Sequence, residues 1–202
     1  MLIGVTGQIG SGKSEVARLL KERGALIIDA DVIGKKITGS PHILAKLVKL
    51  WGSQIRSQSG KLRSVEVARI VFADNGGREL KRLNKLVQPG ITREIDRLIK
   101  SAQQARPKRP IVIDAALLPD WPNARKLDLV ILVTASRQLR LRRLVKRGLS
   151  AGDARLRIRL QRLLEDYRRI SHVVIKNNSS RRELGARVNR LWRASIHPRL
   201  ES

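Results

Sequence analysis

Short, fully apolar runs alternate along the chain with longer stretches in which apolar residues recur every three or four positions. Leu2 to Thr6 is the first run and ends on Gly7. Val16, Leu19 and Leu20 then recur at i, i+3 and i+4 until Gly24, the spacing of one helix face. Ala25 to Ile28 is apolar again and closes on Asp29, Ala30 and Asp31, so the first 31 residues predict strand, helix, strand. Strands without polar alternation are buried on both faces, the condition of a parallel sheet covered by helices. The same pattern returns at Ile111 to Ile113, closing on Asp114, at Leu129 to Val133, and at Val173 to Ile175.

Between the second and third runs the pattern is helical and punctuated. Ser40-Pro41 reads as an N-cap and first turn, Gly52 as a stop, and Ser64 as the cap of a helix over Val65 to Phe72. Gly76-Gly77 breaks the chain before Arg78 to Val87, and Pro89-Gly90 is expected to interrupt the basic amphipathic pattern that continues to Ala105. Arg137 to Arg169 is Arg-rich and helical, broken at Gly148, with Ser150 and Asp153 in capping-box spacing, and predicts a hinged helical pair. Ser180 and Glu183 open a last helix to about Trp192, and the tail from Ala194 is expected to fray.

A length of 202 residues suits one domain. The expected division is a core at about 1–35, 107–136 and 170–194, a helical excursion at about 36–106, and a mobile helical segment at about 137–169. No run approaches the roughly 18 to 20 apolar residues of a membrane span, and Met1 leads directly into a strand, so a cytoplasmic protein is expected, as a monomer or small homo-oligomer. The chain has no cysteine, which excludes disulfides and thiolate chemistry and leaves oxygen or histidine to hold any metal. The net charge of +26 predicts non-specific binding of polyanions. The five aromatic residues, Trp51, Phe72, Trp121, Tyr167 and Trp192, are scattered, so the sequence offers no base-stacking platform of the kind that RNA readers use.

The strongest chemical signal is Gly7-Gln8-Ile9-Gly10-Ser11-Gly12-Lys13-Ser14, which fits G-x-x-x-x-G-K-[ST] in full between a predicted strand and a predicted helix. Glycines let successive N–H groups turn inward around phosphates, Lys13 bridges the β- and γ-phosphates, and Ser14 can ligate magnesium. No guanine-selecting N-K-x-D pattern is present, and a short chain with a helical excursion and an Arg-rich hinged segment points to a small-molecule kinase that closes over its substrate. Asp31, just past the second strand, is placed to accept the proton of an attacking hydroxyl or to help hold magnesium, with Asp29 the competing candidate. Asp114 is the candidate carboxylate on the magnesium side. Arg140, Arg143 and Arg147 share a helix face and could meet the charge of the triphosphate during transfer, with Arg147 and Arg143 the first choices.

The order of the phosphate loop, Asp29-Ala30-Asp31, Ile70-Val71-Phe72, Asp114 with Leu117-Leu118, the Arg143 to Arg147 segment and Ile175-Lys176-Asn177-Asn178 resembles dephospho-coenzyme A kinases over nearly the whole chain. That resemblance implies a P-loop kinase fold, a three-layer α/β/α core with a parallel sheet, a helical acceptor-binding insertion and a helical lid. It implies ATP and Mg2+ as cofactors and phosphorylation of the ribose 3′-hydroxyl of dephospho-coenzyme A. It further implies that Gly10, Ser11, Gly12, Lys13, Ser14 and Glu15 hold ATP, that Asp31 is the base, that Arg143 or Arg147 contacts phosphate, and that Asn177 lies near the adenine. Gln8 and Glu15 stand where the family has Gly and Thr. On the acceptor side, Leu62-Arg63-Ser64, Gln88-Pro89 and Ala116-Leu117-Leu118-Pro119-Asp120 depart from the usual Leu-Asp-Arg, His-Pro and Pro-Leu-Leu-Phe-Glu. The rival readings are another small-molecule or nucleotide kinase of the same fold, and an RNA-associated P-loop protein with little kinase activity.

Overall fold

The structure is a computed structural model that describes residues 1–73, 77–121, 123–161 and 163–201. Five strands, β1 (Leu2–Thr6), β2 (Leu26–Asp29), β3 (Ile111–Asp114), β4 (Leu129–Thr134) and β5 (Val173–Lys176), form one sheet in the order β2-β3-β1-β4-β5. Every pairing is parallel, as the unbroken apolar runs predict. The register sets Ile3 beside Val112 and Leu129, and Val5 beside Asp114 and Ile131, so alternate residues of three strands share a face. On that face, Val16 and Leu20 of α1 (Lys13–Lys21) and Leu184 and Val188 of α9 (Arg181–Leu191) join Ile3, Val5, Ile131 and Val133 in one core. The opposite face is covered where Leu118 and Leu127 pack on Gly4. The C-terminal ends of the strands thus meet at one edge, and the turn after the central strand β1 opens there.

The chain divides into two compact units, Met1–Ala30 with Arg97–Ser202, and Asp31–Asp96. The second has its own core of Leu44, Leu47, Ile55, Val67 and Val71, drawn from α3 (Pro41–Trp51), the turn after it and α4 (Ser64–Ala73). Trp51 Nε1 donates to Glu79 Oε2 at 2.6 Å, tying the end of α3 to the start of α5 (Arg78–Ala105). Among the described residues no helix is long and apolar enough to cross a membrane.

Four local expectations change. The helix α5 is continuous through Pro89 and Gly90. A proline inside a helix costs about 3 kcal/mol, whereas burial of Val87, Ile95 and Ile99 from one stripe contributes about 1.5–3 kcal/mol each, so packing outweighs the break. A Cβ on Gly90 would stand 3.0 Å from Ile37 Cγ2, so this glycine answers a close approach rather than a stop. Ser64 is the first helical residue of α4, because Arg63 supplies the carbonyl that accepts from Glu66 and Val67. The Arg-rich segment forms three helices, α6 (Arg137–Lys146), α7 (Ala151–Arg159) and α8 (Leu164–Arg168), rather than two. The tail does not fray: it winds through Trp192–Ile196 into α10 (Pro198–Glu201), with Ile196 fully buried in the main core and Trp192 and Leu200 against it. Those three residues are four apart, a helical stripe that outweighs terminal position. The expected break at Gly76 falls outside the described residues.

Candidate active site

The turn from β1 into α1 is built on backbone geometry. Ser11 N donates to Gln8 O at 3.0 Å, and Gly12 caps α1 at φ 96, where its carbonyl accepts from Glu15 and Val16. A Cβ on Gly12 would stand 2.1 Å from Asn177 Nδ2, so both the left-handed conformation and the close approach require glycine here. Lys13 is buried and its Nζ lies 2.9 Å from Asp114 Oδ1, because the register of β3 on β1 brings Asp114 to the same edge. Among the described residues Thr6 Oγ1 and Ser11 Oγ are buried without a hydrogen bond, and Asp114 Oδ1 has the Lys13 ammonium as its partner, an ion pair that leaves one of the oxygen's lone pairs open. Buried polar atoms are normally satisfied, and two exceptions around one loop mark a place for a polar ligand.

The carbonyls of the loop are held from outside. Arg143 Nη1 donates to Gly10 O and Ser11 O, each at 3.1 Å, and Nη2 donates to Asn177 O at 3.0 Å. Asn177 Nδ2 donates to Ser11 O at 2.8 Å, and Ile9 N donates to Gln161 Oε1 at 2.7 Å. With Gly10 and Ser11 carbonyls committed to these donors, the loop keeps one curvature. Burial, and then the neighbouring Arg147 charge, lower the pKa of Arg143 below the ordinary arginine value. Arg140 is buried, and its Nε and Nη1 have no hydrogen bond among the described residues; burial first and Arg137 second lower its pKa, against a smaller opposite effect of Tyr167. Arg147 closes the C-terminal end of α6, its N–H donating to Arg143 O and Leu144 O.

Beside Gly12 a cavity of about 450 Å3 is lined by Glu15, Arg143, Lys146, Arg147, Asn177, Ser179, Arg181 and Leu184. Glu15 accepts from two guanidinium forks. Arg18 donates through Nε at 3.1 Å and Nη2 at 2.8 Å, and Arg181 through Nε at 2.8 Å and Nη2 at 3.3 Å. The hydrogen bonds from Arg18 first, then Arg181, hold the Glu15 carboxyl at a pKa of about 2. Among the described residues no three His, Asp or Glu side chains converge on a metal site. A divalent cation here would rest on few protein oxygens and fill its remaining positions from phosphate and water, the habit of Mg2+.

Gly10, Ser11, Gly12, Lys13, Asp114, Arg143 and Asn177 therefore converge around one turn, with Glu15 and Arg147 on the adjoining cavity. Ser14 is exposed in the first turn of α1. Asp31 is the second residue of α2 (Ala30–Thr38) and belongs to the unit Asp31–Asp96. Sequence reasoning did not find Gln161 and Arg181. Gln161 carries no local signal, being 152 positions from its partner Ile9; Arg181 is marked by nothing beyond its place after the Ser180 cap.

The dephospho-CoA kinase family model matches residues 1–183. Dephospho-CoA kinases of Thermobifida fusca and Corynebacterium efficiens are 36% and 41% identical to this chain over 193 and 192 residues, covering 94% of each chain. The crystal structure of TT1252 from Thermus thermophilus superposes with a TM-score of 0.75 at 29% identity, covering 97% of both chains. A phosphate loop of this geometry on a five-stranded parallel sheet, matched over nearly its full length, makes the chain a member of the dephospho-CoA kinase family.

Proposed function

We propose that this protein transfers the γ-phosphoryl group of ATP to the ribose 3′-hydroxyl of dephospho-coenzyme A. The observation that carries the reading is the loop itself: its Gly10 and Ser11 carbonyls are engaged from outside by Arg143 and Asn177, with Lys13 buried at its end, in a chain of this family.

Inward N–H groups of Gly10 to Ser14 and the start of α1 bind the phosphates, and Lys13 neutralises the β- and γ-oxygens. Ser14 and Asp114 would hold Mg2+, which when bound neutralises phosphate charge; the open acceptor capacity of Asp114 Oδ1 fits that role. Asp31 accepts the proton of the 3′-hydroxyl as its oxygen bonds to the γ-phosphorus and the bond to the β,γ-bridging oxygen breaks, releasing ADP. Arg147 faces the cavity and supplies positive charge to the transferring group. Arg143, whose Nη atoms both serve carbonyls, acts on that group through the shape of the loop. We assign the acceptor to the region 36–106 and the lid to 137–169, within a single kinase domain of residues 1–202.

The test offers ATP and Mg2+ with dephospho-coenzyme A beside adenosine, AMP, CMP and shikimate, identifies products by mass, and uses Lys13→Ala as blank. Transfer to dephospho-coenzyme A alone is the expected result. Transfer to another acceptor would transfer the reading to a different small-molecule kinase, with Gln88 and Asp120 the residues to examine. RNA affinity indifferent to ATP and to loss of Lys13, without phosphoryl transfer, would favour the polyanion-binding reading.

A further inference from the structure

The cavity beside Gly12 has an unusual lining for a nucleobase. Among the described residues no aromatic side chain borders it, whereas Arg143, Lys146, Arg147 and Arg181 do, against the single carboxylate Glu15. Arg143 is committed to carbonyls of the loop and Asn177. Arg181 is differently placed. It opens α9 and crosses to α1, where Nε and Nη2 form a fork on Glu15, and its Nη1 makes no hydrogen bond among the described residues. Because Arg18 grips the same carboxylate from within α1, Glu15 is itself fixed, and the Arg181 guanidinium is anchored at two of its three nitrogens. One turn further along α9, the core residue Leu184 lies under the wall of the same cavity.

A planar guanidinium anchored along one edge leaves its face and one nitrogen for a ligand. Such a group can replace an aromatic ring as a stacking partner for a base. An exposed ion pair alone would add little, and it would have no reason to border a cavity that begins at the phosphate loop. We propose that Arg181 is the nucleobase-contacting residue of the donor site, a cationic stacking platform that Glu15 holds in position. The proposal rests on the reading that ATP occupies the phosphate loop with its base in this cavity.

The test compares Mg2+-ATP with Mg2+-tripolyphosphate, which has the phosphates and no base, by calorimetry on wild type, Arg181→Ala, Glu15→Gln and the double variant. The wild type should bind ATP more tightly than tripolyphosphate. Arg181→Ala should weaken ATP about fivefold, the size of a partly exposed cation–π contact, and leave tripolyphosphate within about twofold. In turnover the loss should appear in KM for ATP with kcat nearly unchanged, as for a contact made equally in ground and transition states. Glu15→Gln should weaken ATP less than Arg181→Ala, and should add nothing when Arg181 is already alanine. Equal weakening of both ligands in Arg181→Ala would overturn the proposal by showing a charge effect on phosphate, and so would no weakening of either. Wild-type protein that binds the two ligands equally would instead refute the placement of the base in this cavity.

Discussion

Replacing Arg143 by alanine should disable the phosphate loop without touching a phosphate contact. The side chain donates to Gly10 O, Ser11 O and Asn177 O at 3.0–3.1 Å. Ser11 O keeps its bond from Asn177 Nδ2 at 2.8 Å, so of the three carbonyls that lose the Arg143 donor only Gly10 O and Asn177 O lose their side-chain partner altogether. A bond from a charged donor contributes roughly 1.5–3 kcal/mol, and water replaces part of it in a half-buried site, which leaves about 1 kcal/mol for each of the two. A loss of about 2 kcal/mol in holding the loop corresponds to roughly 30-fold weaker ATP binding. Arg143→Lys is the informative companion. An ammonium keeps the charge but cannot span two carbonyls of the loop and one at Asn177 as a fork, so its Kd for ATP should lie within about threefold of the alanine variant. Calorimetric titration with Mg2+-ATP measures both, and hydrogen exchange at the loop amides of the ATP-free protein should rise in both. Lysine that restores most of the affinity, with loop exchange unchanged, would refute the brace and return Arg143 to a role of charge alone.

Asp31→Asn should lower kcat by about 10²–10⁴-fold, the usual range for a general base, while calorimetry finds ATP affinity within twofold of wild type. Glu15 has its folded pKa lowered from 4.5 to about 2, so its contribution is fully present above about 4.5 and is lost as the pH falls through 2. Arg18 and Arg181 are exposed enough for solvent to screen the pair, which holds that contribution to about 1 kcal/mol; the urea stability gap between wild type and Glu15→Gln should be constant above pH 5 and shrink toward about pH 2. Ile196→Ala should cost about 2–5 kcal/mol in urea unfolding, because the side chain is fully buried in the main core; a change under 0.5 kcal/mol would mean that the tail does not pack into that core.

What could be read in advance was whatever depends on neighbours in sequence. Strand runs such as Leu129 to Val133, the Ser150–Asp153 and Ser180–Glu183 caps and the phosphate loop carry their physical cause within a few residues, and each lies where the pattern puts it. Pro89 and Ile196 were misread for the opposite reason. The local rule that proline breaks helices and ends fray is correct, yet it is a matter of about 3 kcal/mol or less, and tertiary burial of Ile95, Ile99 and Ile196 exceeds it.

The site divides along the same line. Lys13 and Ser14 are legible because motif spacing encodes their position, and Asp114 because it ends an apolar run. The bonds that hold the loop in shape join residues 133, 132, 166 and 152 positions apart, and no periodicity records them. Two backbone carbonyls turned outward need donors and one loop amide needs an acceptor; an arginine, an asparagine and a glutamine satisfy that requirement from three separate segments of the chain. In the sequence Arg143 is one of many arginines and Gln161 one polar residue in a basic stretch. Their meaning lies in the backbone atoms they meet, which is why the place of the loop was visible from the chain and its scaffolding was not.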